Sequence, residues 1–384
     1  MSLDKKFFCT APFINLRIEN FAGGNPSFKP CCLYEPSEQT TTLDQYLHGE
    51  EIQTLRNNMI TTDVPSRNCF KCTVPENMGL GSIRHSFLTR PWYKDTTEIN
   101  SLEIFFGNTC NLGCMMCSSN YSSYASEERY QSGILPIRLP SIDNTQLALD
   151  TIEKLPNLKS ITLIGGEFFL MKRNGEILDK IIEKNIQCSI TTNATVITEP
   201  LLQKLQQIQN LQIGISVDGT ENVYNFMRYP ADWSTLNRNI DTLKQRIPWA
   251  DYCIRAVAQP LNIQNFHELF EWANKKIIPT QYQVLVSPEY LTWKILTVKE
   301  KNVLVNLLKT KQSKYKMTMQ QKNTIDDFIS GIPQDSFDAH LRMQGVEYLS
   351  KLFLHRKISA DVILKQFATL TNLANEIITA MKTQ

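Results

Sequence analysis

The chain has 384 residues, 42% of them hydrophobic and 20% charged, a globular composition that excludes disorder as its main state. Lys and Arg number 40 against 38 Asp and Glu, a formal net charge of +2, so no bulk field draws the chain to nucleic acid or an acidic membrane. Its apolar runs are strand-sized, well short of the roughly 18 residues of a membrane helix, and residues 1–6 lack the apolar stretch of a secretory signal. A soluble, cytoplasmic protein is expected.

In chain order, residues 1 to about 95 read as irregular, with breaks at Gly23-Gly24-Asn25-Pro26 and Pro36-Ser37. From 99 to about 290, short apolar strands alternate with amphipathic helices. Strands are expected at 102–106, 160–164, 187–191, 211–217, 252–258 and 282–286, and helices at 145–154, 175–184, 200–207, 234–246 and 265–273. Six strands alternating with helices imply an α/β fold, with a parallel sheet wound right-handed. Residues 297–384 carry no strand signal and read as helices. The expected domains are therefore 1–95, 96–292 and 293–384.

Ten cysteines are present, and eight of them lie early: Cys9, Cys31, Cys32, Cys69, Cys72, Cys110, Cys114 and Cys117. A disulfide scaffold would be small and secreted, whereas clustered thiols in a large chain of a reducing compartment point to metal. Cys188 and Cys253 fall in expected strands and read as small core residues.

Directly after the first of the six strands, Cys110, Cys114 and Cys117 have the spacing C-x3-C-x2-C. Three thiolates on one short loop can hold three irons of a cubane cluster and leave the fourth iron open, as chemistry at a metal centre requires. Zinc, which favours four ligands in CxxC pairs, fits this spacing poorly.

This triad, placed after the first strand of a β/α alternation, resembles that of the radical S-adenosylmethionine (SAM) superfamily. The resemblance implies a partial (β/α)6 TIM-like barrel, a catalytic [4Fe–4S] cluster, and SAM chelated at the open iron. Gly165-Gly166-Glu167 ends the second strand and resembles the family's GGE motif, which binds the methionine ammonium; Phe168 follows where the family usually has Pro. Asn193 ends the third strand and resembles the family's TN segment. Ser216, in Ser216-Val217-Asp218-Gly219, and Arg228 match the pair that holds the SAM carboxylate in the peptide-modifying branch. Strand five would offer backbone to the adenine. Asp218 is the extra carboxylate and a candidate for catalysis, with a strand-end turn role as its alternative.

The N-terminal thiols form a C…CC…CxxC array that resembles the auxiliary-cluster element, called twitch or half-SPASM, of radical SAM enzymes. The resemblance implies Cys9, Cys31, Cys69 and Cys72 as ligands of a second [4Fe–4S] cluster, although that element normally follows the barrel rather than precedes it. Cys31 is preferred to Cys32 because it follows Pro30, as in the related elements, and consecutive extended side chains diverge. A four-cysteine zinc knot suits these thiols equally, and this alternative stays open. Five histidines, His48, His85, His267, His340 and His355, show no metal-binding spacing and read as surface or packing residues; Glu76 and Arg84 either touch substrate or simply pair on the surface.

The activity implied is reductive cleavage of SAM to a 5′-deoxyadenosyl radical that takes a hydrogen atom from a peptide or small-metabolite substrate. The electron would come from a flavodoxin- or ferredoxin-type donor, and the auxiliary cluster would favour net oxidation. The alternatives are a radical SAM epimerase or isomerase and, from another class, a zinc-knot module that binds RNA or protein without catalysis.

Overall fold

The structure is a computed structural model and describes residues 6–20, 25–37, 40–77, 82–89 and 98–384, without the side chain of Pro75. The expected break at Gly23-Gly24 and the domain boundary near residue 95 lie outside these residues. The chain divides into two compact units, Met1–Asn108 with Ser141–Ile190 and Pro200–Leu211, and Thr109–Pro140 with Thr191–Glu199 and Gln212–Gln384.

The first unit is built on strands β1 (Asn15–Glu19), β2 (Ser27–Lys29), β3 (Ser101–Phe105), β4 (Ser160–Ile164) and β5 (Gln187–Thr192), the last two residues of β5 falling in the second unit. β1 pairs antiparallel with β2 and parallel with β3, and β3–β4 and β4–β5 are parallel. The alternation of side chains along each strand puts Leu16, Ile18, Leu102, Ile104, Ile161, Leu163, Cys188 and Ile190 into the core. Helices Thr145–Lys154 and Asn174–Glu183 make the crossovers between the parallel strands, burying Ala148 and Ile152, and Ile177, Leu178 and Ile181.

The first 95 residues are not simply irregular, because they contain β1 and β2. Asn15-Leu16-Arg17-Ile18-Glu19 alternates with period two, but all five residues are buried, two of them charged. The charges are tolerated because they pair: Arg17 Nε lies 2.6 Å from Glu19 Oε1, Lys29 Nζ 2.5 Å from Glu19 Oε2, and Arg17 also pairs with Glu103.

The second unit contains the parallel strands β6 (Leu211–Ser216), β7 (Asp251–Ala258) and β8 (Thr280–Val284). Between β6 and β7 runs the helix Trp233–Arg246, which the side chain of Asp232 caps by accepting from Thr235 N at 2.7 Å. Its residues Leu236, Ile240 and Leu243 recur on one face and are buried. Five α-helices, from Val298–Gln312 to Thr371–Thr383, follow β8. All six expected strands are present within two residues of their expected ends, and every pairing described except β1–β2 is parallel, so the fold is α/β. Among the described residues no helix is long and apolar enough to cross a membrane.

Candidate functional site

The triad loop belongs to the second unit and is held from several directions. The helix Ser123–Gln131 starts beneath it: Ser122 Oγ accepts from Ala125 N at 3.0 Å and donates to Leu112 O at 2.7 Å, and Ser123 Oγ accepts from Cys110 N at 3.1 Å. Gly113 N donates to Tyr229 O at 2.7 Å and Met115 N to Met227 O at 2.8 Å. These two rungs set Cys114 opposite Arg228, whose Nη1 lies 3.8 Å from Cys114 Sγ and whose Nη2 lies 2.8 Å from Asp218 Oδ2. Arg228 is 8% exposed and Asp218 0%. Neither is presented to solvent: the carboxylate assigned a possible catalytic role and the arginine assigned to the SAM carboxylate are engaged with each other.

Residues of the C-terminal helices complete the clamp. Tyr348 OH donates to Met115 O at 2.9 Å and accepts from Arg129 Nη2 at 2.9 Å. Arg129 Nη2 also reaches Cys114 O at 3.4 Å. Arg356 makes a buried two-pronged pair with Glu128, both contacts at 2.8 Å, and donates to Gly113 O. Gly113 leaves room for this: a Cβ there would lie 2.5 Å from Glu128 Oε2 and 3.1 Å from Arg356 Nη2. Asn193 is tied to the loop as well, its Nδ2 donating to Asn111 Oδ1 at 3.0 Å, while Asn111 Nδ2 donates to Thr195 Oγ1 at 2.9 Å. Ser216 ends β6 beside Arg255 of β7, and Arg255 donates to Thr191 Oγ1.

Three thiols on one loop, with the guanidinium of Arg228 on the Cys114 sulfur and those of Arg129 and Arg356 on the carbonyls of Cys114 and Gly113, suit in kind an anionic iron–sulfur cluster. Burial pushes the Cys114 thiol up, and the Cys117 thiol to about 12. Burial thus favours the neutral thiols, and a metal, when bound, would ionise a coordinating thiol outright.

The Gly165-Gly166-Glu167 turn lies in the first unit. Gly165 has φ +139°, and a Cβ there would meet Gly107 O at 2.6 Å; Gly166 N donates to that same oxygen at 2.8 Å. Only glycine allows both the conformation and the approach of the two loops. Glu167 is buried and its Oε1 accepts from Phe169 N at 3.1 Å.

The N-terminal thiols also belong to the first unit. Cys9, Cys31, Cys69 and Cys72 line one cavity, walled by Phe7, Tyr34, Met59, Ile83 and Phe87, and Cys32 is not among its lining residues. Burial raises the thiols of Cys31 and Cys69 to about 11. Cys32, raised to about 12 by burial, has Glu103, Arg17 and Lys29 as its charged neighbours instead. Arg84 lines the cavity and is paired with Glu76 at 2.5 Å, so these two residues pair with each other. Among the described residues no three His, Cys, Asp or Glu side chains stand close enough to share a single metal ion. The four-thiol donor set suits a closed cubane, whose ligands sit on separate irons, and in kind also suits zinc.

Asn111, Arg129, Tyr348 and Arg356 went unremarked in the sequence. The last two lie 233 and 228 residues from their partners Met115 and Glu128, and no local pattern announces contacts at that range.

Residues 104–273 match the family model described as the radical SAM superfamily. An uncharacterized protein of Methanocaldococcus jannaschii is 30% identical over 122 residues, 30% of this chain and 37% of the relative. A probable GTP 3′,8-cyclase of the same organism is 26% identical over 178 residues, 46% of this chain and 55% of the relative. The chain thus spans 37% and 55% of the length of these curated relatives. Among solved structures, native anSMEcpe with bound AdoMet overlaps 66% of this chain and 67% of its own at 20% identity, with a TM-score of 0.43. Streptococcus suis SuiB bound to the precursor peptide SuiA overlaps 75% and 56% at 14% identity, with a TM-score of 0.42. The cysteine loop directly after β3 falls within residues 104–273, the stretch that is similar to the radical SAM superfamily.

Proposed function

We propose that the chain is a radical SAM enzyme with two iron–sulfur clusters that carries out a net oxidation of a peptide or small-metabolite substrate. The observation that carries the reading is the triad loop within the matched domain, whose residues Gly113 and Cys114 are contacted by three guanidinium groups. Cys110, Cys114 and Cys117 hold the catalytic [4Fe–4S] cluster, which when bound supplies the electron for SAM cleavage. Gly165, Gly166 and Glu167 receive the methionine ammonium, a carboxylate and close-lying backbone being suited to a cation. Asn193, held by the triad loop, and Ser216 at the end of β6 are further polar contacts for SAM.

Cys9, Cys31, Cys69 and Cys72 hold the auxiliary cluster. Held by these four thiols, a cluster would have no open iron and would supply an acceptor for the substrate electron, which favours dehydrogenation or C–C or C–S bond formation over a redox-neutral outcome. A flavodoxin- or ferredoxin-type protein supplies the reducing electron. Both substrate classes stay within the proposal: the curated relative's name gives a nucleotide, and the auxiliary element leans to peptides.

Anaerobically reconstituted protein should carry about eight irons, four per cubane, and the change of Cys110, Cys114 and Cys117 together to Ala should leave about four. With dithionite and SAM the parent protein should release 5′-deoxyadenosine and the triple variant none. Stoichiometric zinc without iron, and no 5′-deoxyadenosine, would instead establish the non-catalytic metal-knot module.

A further inference from the structure

Arg228 is placed by its neighbours in the chain. Met227 O and Tyr229 O accept from Met115 N and Gly113 N, so the residue between the acceptors faces the residue between the donors, Cys114. The guanidinium divides its contacts, Nη1 at 3.8 Å from Cys114 Sγ and Nη2 at 2.8 Å from Asp218 Oδ2. Asp218 is in turn fixed from the far side, Val257 N donating to its Oδ1 at 2.7 Å and Asn262 Nδ2 to its carbonyl at 2.9 Å. Asp218 has no exposure and Arg228 8%, so water does little to screen the cation from the sulfur. The other two guanidinium groups differ in their target, since Arg129 reaches the carbonyl of Cys114 and Arg356 that of Gly113.

Hydrogen bonds to the ligating sulfurs and the local charge are what set the potential of an iron–sulfur centre. We propose that Asp218 and Arg228 form a device that sets the reduction potential of the triad cluster. Arg228, donating to the Cys114 sulfur, favours the reduced and more negative cluster. Asp218 aims Arg228 and offsets part of its charge. The step concerned is a one-electron transfer: an external donor such as dithionite loses an electron and the cluster gains it, with no bond made or broken. The inference rests on the cluster reading of the triad, and it gives Arg228 a positioning and electrostatic role in place of a SAM contact.

The test is a redox titration of the reconstituted full chain without SAM, followed by electron paramagnetic resonance. The variant lacking the triad cysteines provides the auxiliary signal to subtract, and iron is measured in every sample. Arg228→Met should lower the reduced-to-oxidised ratio of the triad cluster about tenfold at a fixed potential, equivalent to a shift of about 59 mV for one electron. Asp218→Asn should raise that ratio, because the cation is then no longer offset. Shifts of opposite sign at full iron content are the expected signature, and mere loosening of the loop would not produce them. If Arg228→Met loses its triad iron, Arg228→Lys and Asp218→Asn carry the test, with the lysine variant expected below the parent and the asparagine variant above it. Unmoved potentials with iron retained, or shifts of one sign in both variants, would overturn the inference while leaving the cluster reading intact. Weakened SAM binding in Arg228→Met with an unmoved SAM-free potential would return Arg228 to the SAM carboxylate. A parent protein that takes up no triad iron would overturn both readings.

Discussion

Cys31 and Cys32 are neighbours in the chain with opposite surroundings. Cys31 joins Cys9, Cys69 and Cys72 around one cavity, while Cys32 sits among Arg17, Lys29 and Glu103. If the cavity holds the auxiliary cluster, Cys31→Ser should remove about four irons and Cys32→Ser should leave all of about eight. Iron and sulfide analysis of the two variants decides it. Loss in Cys32→Ser alone would move the ligand, and loss in neither would count against four-thiol ligation. An extended backbone was expected to part these two side chains, whereas residues 31 and 32 lie in a bend and turn just after β2. Which of them turned toward the other thiols depended on the charges of β1 and β3, which claim the opposite side.

At the scale of elements, the helix Ala339–His355 and its capping residue Arg356 hold the triad loop through side chains that meet backbone carbonyls. Arg356→Met leaves Glu128 buried without its partner, a loss of about 3–5 kcal/mol by analogy with other buried pairs. It should lower the thermal unfolding temperature and reduce iron at the triad while sparing any iron held at the proposed auxiliary site. Tyr348→Phe removes two hydrogen bonds, the one donated to Met115 O and the one accepted from Arg129 Nη2, and should cost about 2–4 kcal/mol, with most of the iron retained. Equal iron loss from both sites in Arg356→Met would point to global unfolding instead.

The elements themselves show what a sequence discloses. β4 and the helix Thr145–Lys154 were legible to the residue, since period-two and helical periodicity directly record which face is buried. β1 was passed over because Arg17 and Glu19 look like surface residues until Lys29 and Glu103 are seen to neutralise them. The GGE turn and the triad stood out because tight backbone and metal ligation demand particular residues at fixed spacing. The clamp from Tyr348 and Arg356 did not, because ordinary residues become special there only through a contact across more than half the chain.

For the whole molecule, His267 sets a pH limit on stability. It is fully buried, neither ring nitrogen has a hydrogen-bond partner, and burial lowers its pKa to about 4 from the ordinary 6.5. Between those values the unfolded chain binds the proton and the folded chain does not. The contribution is therefore complete above about pH 6.5 and declines as the pH falls toward 4, by on the order of 3 kcal/mol in total. Urea unfolding at pH 7 and pH 4.5 should show a smaller loss in His267→Leu than in the parent chain. An identical loss in both would mean that His267 is not the group responsible.

The clamp on the triad loop also has a consequence in time. Glu128 and Arg356 are 228 residues apart, so on a ribosome adding about 5–20 residues per second the loop waits roughly 10–50 s for its last support. During that interval Cys110, Cys114 and Cys117 are already made, yet Gly113 O and Met115 O lack the donors that fix them. Iron delivered to the nascent chain would meet an unshaped loop. If the triad holds the proposed cluster, its loop is fully supported only once synthesis has passed residue 356, whereas the thiols of Cys9, Cys31, Cys69 and Cys72 have all been made by residue 72.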